Sequence, residues 1–208
     1  LRDMTATVES RATLENRLYM RFRAQSLPLL VSMARTTPAA SLWTGSRLWV
    51  QALRERGAER GSRLWVDRGP GPAVLQVLLA ALWLDCDTVL GALPAEEPED
   101  AVVRAGCSLA VANRDGPWVL RPDGVSGPHR VEDGAPRAGH ASAHAPWLLL
   151  REEADAAFRP TGALGPAATL ELPVLWTERA ALLDLVLPAL ADGAALVEPA
   201  VLASPDLA

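Results

Sequence analysis

The stretch that decides the fold runs Arg63-Leu-Trp-Val-Asp67, Arg68-Gly-Pro-Gly-Pro72, Ala73-Val-Leu-Gln-Val-Leu-Leu-Ala-Ala-Leu-Trp-Leu84 and then Asp87-Thr-Val-Leu90. It reads as a short buried strand, a glycine–proline turn, a strongly apolar helix and a second strand. The same rhythm continues outward. Pro94-Ala-Glu-Glu-Pro98 opens another helix, with acids at its positive end where the macrodipole favours them. Gly106 stops that helix, and Ser108-Leu-Ala-Val-Ala112 is a third strand. Strands alternating with helices pair in parallel through right-handed crossovers, so the expected class is α/β with a mainly parallel sheet flanked by helices.

Upstream, Leu14, Leu18 and Phe22 recur at a spacing of four among charged residues, one face of a helix over residues 8–25. Pro28 interrupts this pattern, and an apolar stretch covers Leu27–Met33. Pro38 and Ser41 open a further helix from Leu42 to Arg56, with Gly57 as its stop. The expected organisation is an N-terminal helical segment over 1–40 and an α/β domain over 41–208. Residues 113–146 break the rhythm as a loop or lid rich in Gly, Pro, Ala and His, with a strand at Trp118-Val-Leu120. A turn around Pro160–Pro166, a strand over Thr169–Leu172, a helix over Glu178–Ala191 and a strand over Ala194–Val197 follow. Pro188 should kink that helix or end it early.

The 208 residues suit one domain, and 50% are hydrophobic, which marks a globular chain. All 20 basic residues are arginine; lysine and isoleucine are absent, and asparagine occurs only as Asn16 and Asn113, a pattern best read as a high-GC bacterial genome. The net charge of −5 disfavours nucleic acid as a partner. Residues 1–63 are nevertheless net +6 and residues 64–208 net −11, so an arginine-rich front that binds nucleic acid stands as an alternative to a solvated helix face. Cys86 and Cys107 are isolated, as in a reduced, cytoplasmic protein with two buried thiols. The longest apolar run, Val77 to Leu84, is far too short for a membrane span, and the N-terminal arginines argue against a signal peptide.

Four segments in order carry a resemblance. Trp49 to Val66 is similar to a helix ending LxxxGxxxGDxV that enters a first strand, with Ser62 at the acid's position. Pro72–Leu84 and Cys86–Gly91 resemble an apolar helix and the strand before a PLxPxxP turn, here Ala92-Leu-Pro-Ala-Glu-Glu-Pro98. Val102–Ala112 and Leu185–Val197 resemble the LxxAxxxxVV and LLxPLxxGAxxV segments. Together, colinear over residues 42–200, they resemble the front of the AMP-binding, adenylate-forming superfamily, which includes acyl-CoA synthetases, luciferases and peptide-synthetase adenylation domains.

Members of that superfamily hold ATP phosphates in a loop resembling TSGTTGxPKG, whose small residues admit backbone N–H groups to the anion. The matching stretch is Phe158-Arg-Pro-Thr-Gly-Ala-Leu-Gly-Pro166. Thr161, Gly162 and Gly165 fit the loop and Arg159 could add charge, so these four are the candidate nucleotide or phosphate site; an ordinary glycine turn is the competing reading. Ala163 and Leu164 replace two hydroxyls, and no lysine follows. Segments for adenine, ribose and magnesium have no match, and the C-terminal domain that brings the family's lysine has no counterpart before Ala208. The resemblance therefore implies a pseudoenzyme, since adenylation rests on electrostatic stabilisation of phosphate charge.

Other constellations are weaker. His140 and His144 sit four apart with His129 nearby, but no acid accompanies them, so a surface loop is expected in preference to a metal site. Ser142 lacks a nucleophile elbow. Glu152, Glu153 and Asp155 read as a solvated edge beside Arg151, not as a catalytic pair. Of seven tryptophans, Trp65 and Trp83 belong to core packing; core or domain packing is also the first reading of Trp43 and Trp49, with an interface beside Arg47 and Arg54 as the competing one.

The functional expectation is a non-catalytic relative of adenylate-forming enzymes, acting as a binding or protein-interaction protein with residual affinity for a nucleotide or acyl group. No cofactor, metal or membrane is expected, and the partners foreseen are a second copy or another protein. The alternatives are one half of a split ligase completed by another chain, and nucleic-acid binding through the arginine-rich front.

Overall fold

A computed structural model describes residues 28–32, 35–66, 72–94, 97–113, 117–120, 127–128, 145–165, 168–173 and 175–198. The helix expected over 8–25 and the three histidines lie outside the described residues.

The decisive stretch folds as a βαβ unit. Strand β3 (Arg63–Val66) leads into a helix (Pro72–Trp83) and then strand β4 (Asp87–Leu90), which pairs parallel to β3 with Leu64 beside Thr88. In chain order that helix is α2, after α1 (Ala39–Glu55). Helix α3 (Pro98–Arg104) then leads to β5 (Leu109–Asn113), parallel to the other edge of β3. The chain thus moves from β3 to one side and back past it to the other. Right-handed crossovers in opposite directions place their helices on opposite faces of a sheet. Strand alternation bears this out: Leu64, Val66 and Leu90 pack into the cluster that contains α2, and Trp65 and Val89 into the one that contains α3.

Antiparallel strands finish this sheet on both sides. Strands β6 (Pro117–Leu120) and β7 (Gly127–Pro128) extend it beyond β5, and β8 (Trp147–Leu149) pairs with β4, giving the order β7-β6-β5-β3-β4-β8. The irregular stretch over 113–146 therefore contributes two strands; its remaining central residues lie outside the described ones.

A second, four-stranded sheet has the order β2-β1-β10-β9. It is built from β1 (Pro28–Ser32), β2 (Arg35–Pro38), β9 (Thr169–Glu171) and β10 (Ala195–Val197), with β1 and β9 parallel to β10 on its two sides. Within the helical segment expected over 1–40, residues 28–32 and 35–38 are strands instead, and residues 1–27 lie outside the described ones. Val31, Thr36 and Thr37 are β-branched and prolines bracket the hairpin, so these residues favour extended pairing once β10 offers an edge.

Between the sheets lie α1 and α2. Leu42, Ser46, Trp49 and Leu53 form the buried stripe of α1. Helix α2 is buried continuously from Val74 to Leu82. Gly45 lets the two helices approach, since a Cβ there would overlap the buried Gln76 amide. Gly57, at φ +91°, ends α1 in the left-handed region, as expected of it. Trp43 and Trp83 stack with ring centroids 4.7 Å apart where the same two helices meet.

After β8 come α4 (Arg151–Ala157), α5 (Arg179–Ala181), a π-helical turn (Leu182–Val186) and α6 (Leu187–Asp192). The expectation that Pro188 would kink or end this helix is half met. Its ring crowds the carbonyl of residue 184 and it offers no N–H. The helix widens instead of stopping: the Leu187 N–H reaches back five residues to the Leu182 carbonyl, and the helix continues to Asp192.

Both thiols are buried, as the sequence suggested. Burial, reinforced by the Asp85 and Asp87 charges, pushes Cys86 up to about 12, and burial pushes Cys107 up to about 11. Native protein should therefore resist iodoacetamide at about pH 8.5, an unperturbed cysteine's pKa, and take up two equivalents in urea, as counted by mass spectrometry. Gly45→Ala should cost about 1–3 kcal/mol by overpacking, and Gln76→Ala in the same chain should recover much of it in a double-mutant urea titration.

Candidate functional site

The loop expected to cradle phosphate follows α4. Thr161-Gly-Ala-Leu-Gly165 is an irregular, bent stretch, with Gly162 at φ +72°, a conformation that glycine adopts without strain. Its N–H groups converge on one point, and a carboxylate from this same chain already sits there. The Thr161 and Gly162 N–H groups donate to Asp192 Oδ1 at 2.5 and 2.9 Å. The Leu164 N–H donates to Asp192 Oδ2 at 3.0 Å, and the Thr161 hydroxyl donates to the same oxygen at 2.6 Å. The Ala163 N–H donates to Thr161 Oγ1 at 3.2 Å, which holds that hydroxyl in place.

Asp192 is the last residue of α6, where the helix dipole is negative and an acid is disfavoured. Gly193, at φ +100°, turns the chain and gives its N–H to the Ala189 carbonyl. The carboxylate's compensation comes from the loop. The Thr161 hydroxyl, followed by the Gly162, Leu164 and Thr161 amides, holds the Asp192 carboxyl well below the usual carboxylate range. Chemically this is an anion nest filled by an internal anion.

Of the four residues predicted for the site, Thr161 and Gly162 belong to the nest. Gly165 lies at its end, and its carbonyl accepts the Ala168 N–H. Arg159 is turned away, paired with Asp155 one helical turn back at 3.4 Å. The sequence reading missed Leu164 and Asp192. The signal for Asp192 was an acid immediately before a helix-stopping glycine, a place where composition rarely puts one.

Of the carboxylates over 152–155, Glu152 is exposed, while Glu153 and Asp155 are engaged by neighbours. Glu153 accepts the Leu150 N–H at 3.3 Å and pairs with Arg179 of α5, while Asp155 pairs with Arg159. Arg151 pairs with Asp85 at 3.2 Å, and its backbone N–H donates to Asp87. Among the described residues no cluster of three His, Cys, Asp or Glu could hold a metal ion, and no helix is long and apolar enough to cross a membrane.

No protein-family model matches the chain, and no curated protein matches it. Solved structures do. An N-terminal domain of FACL13 from Mycobacterium tuberculosis superposes with a TM-score of 0.63 at 14% identity, over 89% of this chain and 56% of that one. A Mycobacterium tuberculosis fatty acyl CoA synthetase gives 0.61 at 14% identity, over 89% of this chain and 44% of that one. Holo-PA1221, an NRPS protein containing adenylation and PCP domains, gives 0.64 at 15% identity, over 90% and 36%. The architecture is thus that of the N-terminal part of adenylate-forming enzymes, and this chain spans about half of their length or less.

The depressed Asp192 carboxyl fixes the direction of a pH effect. Its contribution to stability is complete above the unfolded value of about 3.9 and fades as the pH falls from there through the native value. Asp192→Asn should lower the melting temperature at neutral pH by several degrees. The gap between variant and parent should shrink in acid, as followed by circular dichroism; an equal gap at every pH would separate the charge from the nest.

Proposed function

We propose that the chain is a non-catalytic relative of the adenylate-forming enzymes, working as a binding or protein-interaction module. The observation that carries this reading is the Asp192 carboxylate seated among the loop amides. A phosphate arriving at the loop meets a carboxylate already held by four donors, and like charges repel at that distance. Among the described residues no ion pair with Asp192 offsets the repulsion. Lysine is absent from all 208 residues, and the Arg159 guanidinium is turned to Asp155. Residual affinity for a nucleotide or an acyl group then rests on contacts outside this loop.

A second reading draws on the coverage. It makes the chain one half of a split ligase completed by another polypeptide: the match spans 56% of the FACL13 N-terminal domain and smaller shares of the longer neighbours, so the remainder of those folds lies outside these 208 residues. Under that reading the missing lysine and the ribose and adenine contacts come from the second polypeptide, and Asp192 must leave the loop when the two meet.

The purified chain should exchange no labelled pyrophosphate into ATP with any of a panel of carboxylic acids, and inorganic phosphate should not raise its melting temperature. Asp192→Ala empties the nest. That variant should gain a phosphate-dependent rise, reaching about 2.7 kcal/mol at a hundredfold excess over its dissociation constant. Exchange by the chain alone would end the non-catalytic reading, and equal stabilisation of parent and variant by phosphate would end the role given to Asp192.

A further inference from the structure

Helix α3 covers the second face of the large sheet with seven residues, Pro98–Arg104. Ala101 and Val102 turn inward, while Asp100, Val103 and Arg104 are exposed. Their spacing of three and four puts the three side chains on one face of the helix. Val103 is 58% exposed, the most of any large hydrophobic among the described residues. Asp100 and Arg104 stand at the right separation for an in-chain pair, yet among the described residues neither makes an ion pair or a side-chain hydrogen bond. A groove of about 370 Å³ adjoins this face, with Trp65, Val89, Ala101, Arg104, Ala105 and Leu148 in its lining. The Trp65 indole N–H is tied to the Gly91 carbonyl at 2.9 Å, so the groove presents carbon surface beside a single guanidinium.

This face reads as acid, apolar residue, base along one helix, which is complementary to itself reversed. We propose that α3 is the seam of a twofold homodimer. Two copies of the helix run antiparallel across the axis, Val103 meets the partner's Val103, and Asp100 meets the partner's Arg104 on each side. An isologous contact makes every pair twice, so one acid and one base per chain satisfy four charges. A second copy is the occupant because its surface supplies both the carboxylate that Arg104 lacks and the cation that Asp100 lacks. The groove extends the apolar area past the helix. Even so, a seven-residue seam stands at the small end of interfaces, well below about 1,600 Å². The dimer is accordingly weak and concentration-dependent.

The proposal concerns a surface other than the 161–165 loop and depends on neither account of that loop. Sedimentation velocity from about 1 to about 500 micromolar should show the parent chain passing from monomer to dimer. Asp100→Arg makes the seam wholly cationic and Arg104→Asp makes it wholly anionic. Each alone should self-associate at least about tenfold more weakly. An equimolar mixture of the two should recover a dimer containing one of each, because their faces are now complementary. Both positions are exposed, so circular dichroism should match the parent for either variant, which separates loss of the seam from loss of the fold. A parent chain that stays monomeric throughout overturns the proposal. So do single variants that dimerise like the parent, or a mixture that recovers nothing. The phosphate response of Asp192→Ala is unaffected by any of these results, so the two readings fail separately.

Discussion

Helix α2 is apolar on every side, and the rest of the architecture follows from that. A helix with one apolar stripe needs one neighbour; a helix buried continuously from Val74 to Leu82 must be enclosed. Strands β3 and β4 close one side through Leu64, Val66 and Leu90, and α1 closes another through its stripe and Gly45. Phe158, Trp176, Leu187, Leu190 and Leu196, from the C-terminal third and the second sheet, complete the same cluster. Enclosing α2 thus draws on elements more than a hundred residues apart in the chain, and the two sheets join through the helix pair, with α2 against the first sheet and α1 against the second.

The electrostatics follow a similar logic of closure. Asp85 is bonded by Arg60 and Arg151 at 2.7 and 3.2 Å, and Asp87 takes the Arg151 N–H, which ties the starts of β4 and α4 together at the rim of the large sheet. These pairs are partly exposed and each contributes little. Asp192 is of another kind. Its position at the end of a helix is unfavourable by itself, and the amides of a loop thirty residues earlier make it tolerable. A loop whose composition suits an external anion therefore serves here to seat an acid from the chain itself.

The parallel core was legible because its signals are local. The apolar length of α2, the glycine and proline turns and the acids opening α3 each act within a few residues, and the strands at 63–66, 87–90 and 109–113 fall where those signals put them. The second sheet was half legible: its strands at 169–171 and 195–197 fall where expected, but the hairpin at 28–38 was not foreseen. Residues 28–38 hold no clear alternation, and what makes them strands is an edge supplied by residues 195–197, far away in sequence. The candidate loop was half legible. Thr161 and Gly162 carry a local turn chemistry, whereas Asp192 enters through tertiary packing, and a spacing of thirty residues has no periodicity to betray it. Arg159 is likewise set by its surroundings, because it pairs with Asp155 one turn earlier.

The π turn before Pro188 has a geometric consequence for the whole site. One wide turn admits an extra residue, and each residue of an α-helix advances the chain by about 100° around its axis. Leu182–Val186 therefore act as an angular spacer that sets the azimuth of everything after them, including the carboxylate five residues past Leu187. In a chain one residue shorter here, α6 would leave the turn rotated by about a quarter of a revolution, with its terminal acid aimed away from the loop. A proline's missing hydrogen thereby decides which way an aspartate faces.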